Sequence, residues 1–467
     1  MNDAMIQKAI QEVLSRMKEA EAACACAKGD WGIFEKMDDA IEAADIARQE
    51  YLNRSMTERE KYVQAIRDAV LDKDNLEYMS RMGAEETGIG AYEYKLIKNT
   101  LAAQKTPGTE DLITEAMSGD DGLTLVEYSP FGVIGSITPT TNPTETIICN
   151  SIGMLAAGNA VVFSPHPRAT GVSVFLIQTI NKALAEVGAP ANLVVTVAKP
   201  SIENTEIMMS HPKVRMLVAT GGPAIVQKVL SSGKKAIGAG AGNPPAVVDE
   251  TADIEKAARD IIDGCSFDHN VPCIAEKEVI AVASIADQLI TEMKKNGAFM
   301  LTDKAQIAQL CELVTKNGKG PKTEFVGKSA LYILDQLGVK APADPRVIIM
   351  EAKEQDVFVQ EELMMPILPI VRVSDVDAAI DMAVRVEHGN RHTAIMHSKN
   401  VDKLTKMAKL IQTTIFVKNG PSYAGIGAGG MGYTTFTIAG PTGEGLTSAK
   451  SFCRRRKCVL VGGMSVR

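Results

Sequence analysis

Val133-Ile134-Gly135-Ser136-Ile137-Thr138-Pro139-Thr140-Thr141-Asn142-Pro143 decides the fold. Residues 133–138 have the apolar, β-rich composition of a buried strand, and Pro139 cannot continue a hydrogen-bond ladder. Asn142-Pro143 then has the order of a helix N-cap followed by its first helical residue. From 146 to 167 the chain carries no Asp, Glu, Lys or Arg. That run is long enough to span a bilayer, but Asn150, Asn159, His166 and the breaker pair Gly158-Asn159 divide it into helix, turn and buried strand. Further strands are expected at 161–163, 193–197 and 214–219, with an apolar segment at 246–248. Helices are expected at 143–157, 171–187, 202–209 and 224–230. Strands alternating with helices in this way imply a parallel, doubly wound sheet.

Working outward, the pattern from Trp31 to about 103 is helical. Residues 252–259 open a second α/β unit that runs to about 432. The segments 123–128 and roughly 440–467 read as strand but belong to no βαβ unit. Gly425-Ile426-Gly427-Ala428-Gly429-Gly430 satisfies GxGxxG by letter, yet the threonine-rich Tyr433-Thr434-Thr435-Phe436-Thr437 follows it instead of a helix, so it is read as a loop. At the N-terminus Ile6, Ile10, Val13, Leu14 and Met17 recur at helical spacing among Gln, Lys and Glu. This spacing predicts an amphipathic docking helix over 1–19, tethered by a small-residue linker at 20–30, with an ordinary first helix packed on the domain as the alternative. Cys24 and Cys26 in that linker are too few for a closed zinc site, and no metal is expected anywhere.

Of the 467 residues, 45% are hydrophobic and 23% charged, which fits a soluble globular chain with large cores, and the net charge of −7 offers nucleic acid no general attraction. The basic run Arg454-Arg455-Arg456-Lys457 reads as the polar start of a strand. Eight cysteines in a chain this long, behind an N-terminus that lacks a signal-peptide pattern, point to free thiols in a reducing cytoplasm. No membrane or nucleic-acid partner is expected.

Cys273 lies in the proline-marked loop Phe267-Asp268-His269-Asn270-Val271-Pro272-Cys273, downstream of the glycine-rich Gly238-Ala239-Gly240-Ala241-Gly242-Asn243-Pro244-Pro245. Cys149, Cys265 and Cys311 sit in helical contexts and have packing explanations. Together with Asn142, and with the wording of Phe416-Val417-Lys418-Asn419-Gly420-Pro421-Ser422-Tyr423, these segments resemble the aldehyde dehydrogenase superfamily. Within it, the wording is similar to that of the CoA-acylating propionaldehyde and acetaldehyde dehydrogenases of bacterial microcompartments.

The resemblance implies an aldehyde dehydrogenase-like α/β fold: two doubly wound domains and a small oligomerisation sheet. The cofactor-binding domain would span 31–238, with 114–129 in the sheet, the catalytic domain 239–432, and a return and oligomerisation segment 433–467. It implies Cys273 as nucleophile and Asn142 as oxyanion donor. It places NAD at Thr220, Gly221 and Gly222, where the free N–H groups of a helix start suit a pyrophosphate, beside Ser164, Pro165 and His166. Many relatives have lysine where Ser164 stands, which leaves NAD or NADP open. Glu362 matches the glutamate that holds the nicotinamide ribose; His392 and His397 are read as structural. Hydrolysing relatives carry a glutamate base where Ala239 stands, so a thioester on Cys273 would wait for coenzyme A. The expected reaction is NAD-dependent oxidation of propionaldehyde to propionyl-CoA. The open alternatives are acetaldehyde as main substrate, a hydrolysing dehydrogenase, a reductase of activated carboxylates, or a non-catalytic shell-associated protein. A homodimer or homotetramer inside a microcompartment, docked to shell proteins through 1–19, completes the expectation.

Overall fold

The structure is a computed structural model that describes residues 30–466; the expected docking helix at 1–19 and all of the 20–30 linker except Asp30 lie outside the described residues. Two parallel sheets organise the chain. The first has the spatial order Ile33–Phe34, Val194–Val197, Ala160–Pro165, Val133–Thr138, Val214–Thr220, Lys235–Ala239. The chain steps one way from Val133–Thr138 and then the other, so the strand order reverses between Val133–Thr138 and Val214–Thr220. At such a switch point the two outgoing connections diverge and leave a crevice beyond the carboxyl ends of the strands. The second sheet runs Ala298–Met300, Val347–Glu351, Ile367–Val373, Glu278–Val282, Pro245–Val248, Thr393–His397, Ile415–Lys418.

Val133–Thr138, Ala160–Pro165 and Pro245–Val248 are buried along their whole length, as parallel strands covered on both faces must be. The uncharged run folds as expected: helix Pro143–Ala156, a turn in which Gly158 takes φ +85°, and strand Ala160–Pro165. Among the described residues no helix is long and apolar enough to cross a membrane.

A third, antiparallel sheet joins Glu115–Gly119, Gly122–Pro130 and Cys453–Val461. Its last strand begins later than the expected 440, because residues 440–452 hold a two-residue strand and a 3-10 turn at Ala449–Phe452. The basic run lies inside that strand, paired with Gly122–Pro130, and Arg455 meets Glu115 at 2.5 Å. GxGxxG is a loop in the structure, entered from the 3-10 turn Ser422–Ile426.

Candidate active site

The two parallel sheets meet around one cavity of about 810 Å³. The first sheet offers residues at and just after the carboxyl ends of its strands: Asn142, Ser164-Pro165-His166 and Thr220-Gly221-Gly222. The second offers the residues before its strands: Asn243, Cys273, Glu362 and His392. All nine residues expected at the site line this cavity, as does Ala239. Of the two histidines expected to be structural, His392 lines the cavity and His397 lies within strand Thr393–His397, away from it.

Cys273 follows a strapped loop. Asp268, His269 and Asn270 take φ of +48°, +55° and +65°, three left-handed residues in a row. Asp, His and Asn are the side-chain-bearing types that tolerate this region best, yet each still carries strain that the surroundings must offset. Asn270 does so by donating its amide to the Cys265 and Glu276 carbonyls at 3.0 and 2.9 Å. Lys277 Nζ in turn donates to Asn270 Oδ1 at 2.6 Å and to its carbonyl at 3.1 Å. Burial pushes the Cys273 thiol up to about 12, the Glu362 carboxylate adds to that, and Lys277 and Lys98 oppose it. Of the cysteines among the described residues, Cys273 alone lines the cavity. Cys149 is buried on helix Pro143–Ala156 and accepts from Thr106 Oγ1 at 3.0 Å.

Asn142 occupies the N-cap position of helix Pro143–Ala156, but its side chain caps nothing. Lys98 Nζ donates to its Oδ1 at 2.7 Å. The amide nitrogen has only a long, 3.4 Å contact to Thr141 Oγ1. Lys98 also pairs with Glu145 at 2.8 Å and Asp268 at 2.6 Å, and Lys95 with Asp268 at 3.3 Å, all fully buried. Burial alone would raise Asp268, but Lys95 and Lys98 beside it hold its carboxyl below the ordinary value. Nothing in the sequence marks Lys95 and Lys98 as interior; on a helix they read like solvated lysines.

Gly222 caps helix Pro223–Leu230 without a side chain, so the first N–H groups of that helix have no capping side chain. Ser164 Oγ and Thr205 Oγ1 are 2.8 Å apart, and Thr220 Oγ1 and Thr437 Oγ1 are likewise 2.8 Å apart. Burial raises Glu362 to about 7, and its Oε1 has no protein partner. A buried, unpartnered carboxylate oxygen on a residue that lines the cavity fits a ligand bearing hydroxyls. His392 is fully buried and held neutral, its basicity lowered to about 4 by burial and the Lys277 charge. Nδ1 lies 2.9 Å from Thr393 Oγ1, and Nε2 has no partner. Among the described residues no group of three or more His, Cys, Asp or Glu could hold a metal ion.

The aldehyde dehydrogenase family model matches residues 11–448. The chain is 49% identical over the full length of both chains to the propanal dehydrogenase (CoA-propanoylating) of Salmonella typhimurium strain LT2. Among solved structures it is similar to a Rhodopseudomonas palustris propionaldehyde dehydrogenase with bound CoA and an acylated cysteine. That match has 70% identity and a TM-score of 0.92, covering 94% of this chain and 100% of that one. It also matches a propionaldehyde dehydrogenase from the fucose-utilisation microcompartment of Clostridium phytofermentans, at 53% identity and a TM-score of 0.91, covering 93% and 100%. This chain belongs to the aldehyde dehydrogenase family.

Proposed function

We propose that this chain oxidises propanal with NAD and passes the acyl group to coenzyme A. The observation that carries the reading is a cavity pairing the Cys273 thiol with the Asn142 amide, with alanine at 239 where a hydrolytic base would stand. Cys273 attacks the aldehyde carbon, and charge develops on the former carbonyl oxygen. The free amide end of Asn142 and the Cys273 backbone N–H stabilise that charge, a contribution of about 3–4 kcal/mol per donor in comparable sites. NAD, when bound, would supply the hydride acceptor that lets the tetrahedral adduct become a thioester. The open helix start at Gly222 suits its pyrophosphate, and the unpartnered Glu362 Oε1 suits its ribose hydroxyls. His392, neutral and with its Nε2 unpartnered, then takes the proton of the incoming coenzyme A thiol as its sulfur displaces Cys273.

The first sheet with its helices, residues 31–238, is the cofactor unit in this reading, and 239–432 the catalytic unit. The third sheet offers Cys453–Val461 as an edge strand, with Val459, Leu460 and Val461 exposed. An exposed apolar edge calls for cover, which supports an oligomer formed through 114–129 and 433–467. The microcompartment origin of one relative supports placement inside such a compartment, with 1–19 as the docking segment.

The test is NADH release from propanal with and without coenzyme A. Mass spectrometry of protein given NAD and propanal alone should find a propionyl adduct on Cys273. Full activity in Cys273→Ser, or an adduct on another cysteine, would overturn the reading; undiminished NADH turnover with acid as product would replace it with hydrolysis.

A further inference from the structure

The buried cluster around Lys98 leads further. Lys98 Nζ touches three oxygens from three sources: Asn142 Oδ1 at 2.7 Å, Glu145 Oε1 at 2.8 Å and Asp268 Oδ2 at 2.6 Å. Asn142 carries the expected oxyanion donor, Glu145 sits one turn into the helix that Asn142 opens, and Asp268 lies in the strapped loop before Cys273. An ammonium has protons to give and no lone pair to offer. Whichever end of the Asn142 amide faces Lys98 must therefore be its oxygen, and the NH2 is left for the cavity. The reversed amide would set two donors against each other in a dry interior, so only one orientation is available. Lys95 fixes the preceding residue as well, donating to the Thr141 carbonyl at 2.8 Å. With Asp268 and Glu145, the two lysines make a charge-balanced set. The fold also makes room for it: a Cβ on Gly90, at φ +74°, would come 2.1 Å from Asp268 Oδ1. The adjacent Ala91 N–H donates to that oxygen at 2.9 Å.

We propose that Lys98 is a positioning residue that orients the Asn142 amide with its NH2 toward the reacting carbonyl oxygen and ties it, through Asp268, to the Cys273 loop. The inference rests on the acyl-transfer reading above. Lys98 touches no reactant; it acts by removing the choice of which amide end meets the oxyanion and by setting the distance between donor and nucleophile.

The test uses the full chain and the burst of NADH that accompanies thioester formation from propanal. Lys98→Met alone leaves buried carboxylates unpaired and threatens folding, so Lys98→Met/Glu145→Gln, which restores charge balance, is measured beside it. The expected result is a burst slowed by about 10²–10³-fold, the loss typical of one missing oxyanion donor, with NAD affinity unchanged. In an Asn142→Ala background the same pair of changes should slow the burst no further, because Lys98 acts through Asn142. A folded, charge-balanced variant with a wild-type burst, or full additivity with Asn142→Ala, overturns the proposal. Asn142→Ala with an unimpaired burst overturns it together with the oxyanion role of Asn142. An impaired Asn142→Ala beside an unimpaired Lys98 variant overturns the positioning role alone.

Discussion

Gly242→Ala probes how tightly the cavity is built. Gly242 lies in the turn between Lys235–Ala239 and Pro245–Val248, and its φ is outside the left-handed region, so an alanine backbone is permitted there. The obstacle is space. An added Cβ would stand 2.8 Å from the Cys273 carbonyl oxygen and 2.9 Å from His392 Cγ, where ordinary contact begins at 3.4 Å. Both neighbours are backbone or ring, not the end of a flexible chain, and both lie inside that limit, so the two together must yield by roughly half an ångström each. A misplacement of about 1 Å at a reacting group costs on the order of 10²-fold, and half of that suggests about tenfold in kcat. Overpacking of this size should also cost about 1–3 kcal/mol of stability. Burst and steady-state rates separate the two ways of yielding. If the Cys273 loop moves, the NADH burst slows; if the His392 ring moves, the burst is kept and coenzyme A-dependent turnover falls. A folded variant with both rates unchanged would refute the claim that Gly242 sets the spacing of Cys273 and His392.

Ala239→Glu should raise acid formation from propanal in the absence of coenzyme A; general-base help is worth about 10²–10⁴-fold in a prepared site and less here. No increase in a folded variant with normal thiol titre would move the missing base away from Ala239. Glu362→Gln should speed alkylation of Cys273 by iodoacetamide above pH 7. Glu362, raised to about 7, is ionised there and pushes the thiol up, so its removal brings the thiol down and enlarges the thiolate fraction. At pH 5 the wild-type carboxyl is protonated and the two rates should converge; equal rates at every pH would exclude the coupling. Deleting residues 1–19 should leave turnover per active site unchanged and abolish recruitment to a protein shell, and loss of folding would make that segment part of the core.

How much of this was legible in the sequence follows from the range of each interaction. The strands and helices at 133–230 were visible because burial on both faces writes itself as short apolar runs, and Pro143 and Gly158 punctuate them locally. Strand Ile33–Phe34 was not, since a two-residue element pairing with Val194–Val197 has no period to detect. The start of strand Cys453–Val461 was misplaced because it is marked only by distant pairing with Gly122–Pro130, while residues 440–452 are held by turns. At the site, the residues that stood out did so through the family resemblance together with their local setting: a loop cysteine, an asparagine before a helix, a glycine-opened helix. Lys98, Asp268 and Lys277 did not, because a buried lysine differs from a solvated one only by its distant partners. Asn142 was readable as an N-cap by position, and the structure separates that position from the bond: Lys98 takes the oxygen that would have capped the helix. His392 reads as structural because no ligand set surrounds it; the role proposed for it rests on an unpartnered Nε2, which no sequence pattern records.

His392 also bears on why a thioester here would prefer coenzyme A to water. With its conjugate acid near 4, His392 is a weak base. Taking a proton from a thiol of pKa about 8.5 is then uphill by about 4–5 units, and from water, at about 15.7, by about 12. The same imidazole therefore favours the thiol by about 7 units, or about 10 kcal/mol. Water's excess over a millimolar thiol, about 10⁴–10⁵-fold, takes back about 6 kcal/mol. A margin of about 4 kcal/mol remains, before the greater nucleophilicity of sulfur is counted. No closed gate against water is required for that preference. Any base shares that difference between thiol and water, so in the proposed reading the base's absolute strength decides how fast hydrolysis runs: a carboxylate at 239 with a pKa raised toward 7 by the same dry surroundings would take the proton of water about three units more easily than His392 does. In the proposed reading Ala239 leaves water without such a base, and the low basicity of His392 keeps hydrolysis slow while the thiol retains its advantage.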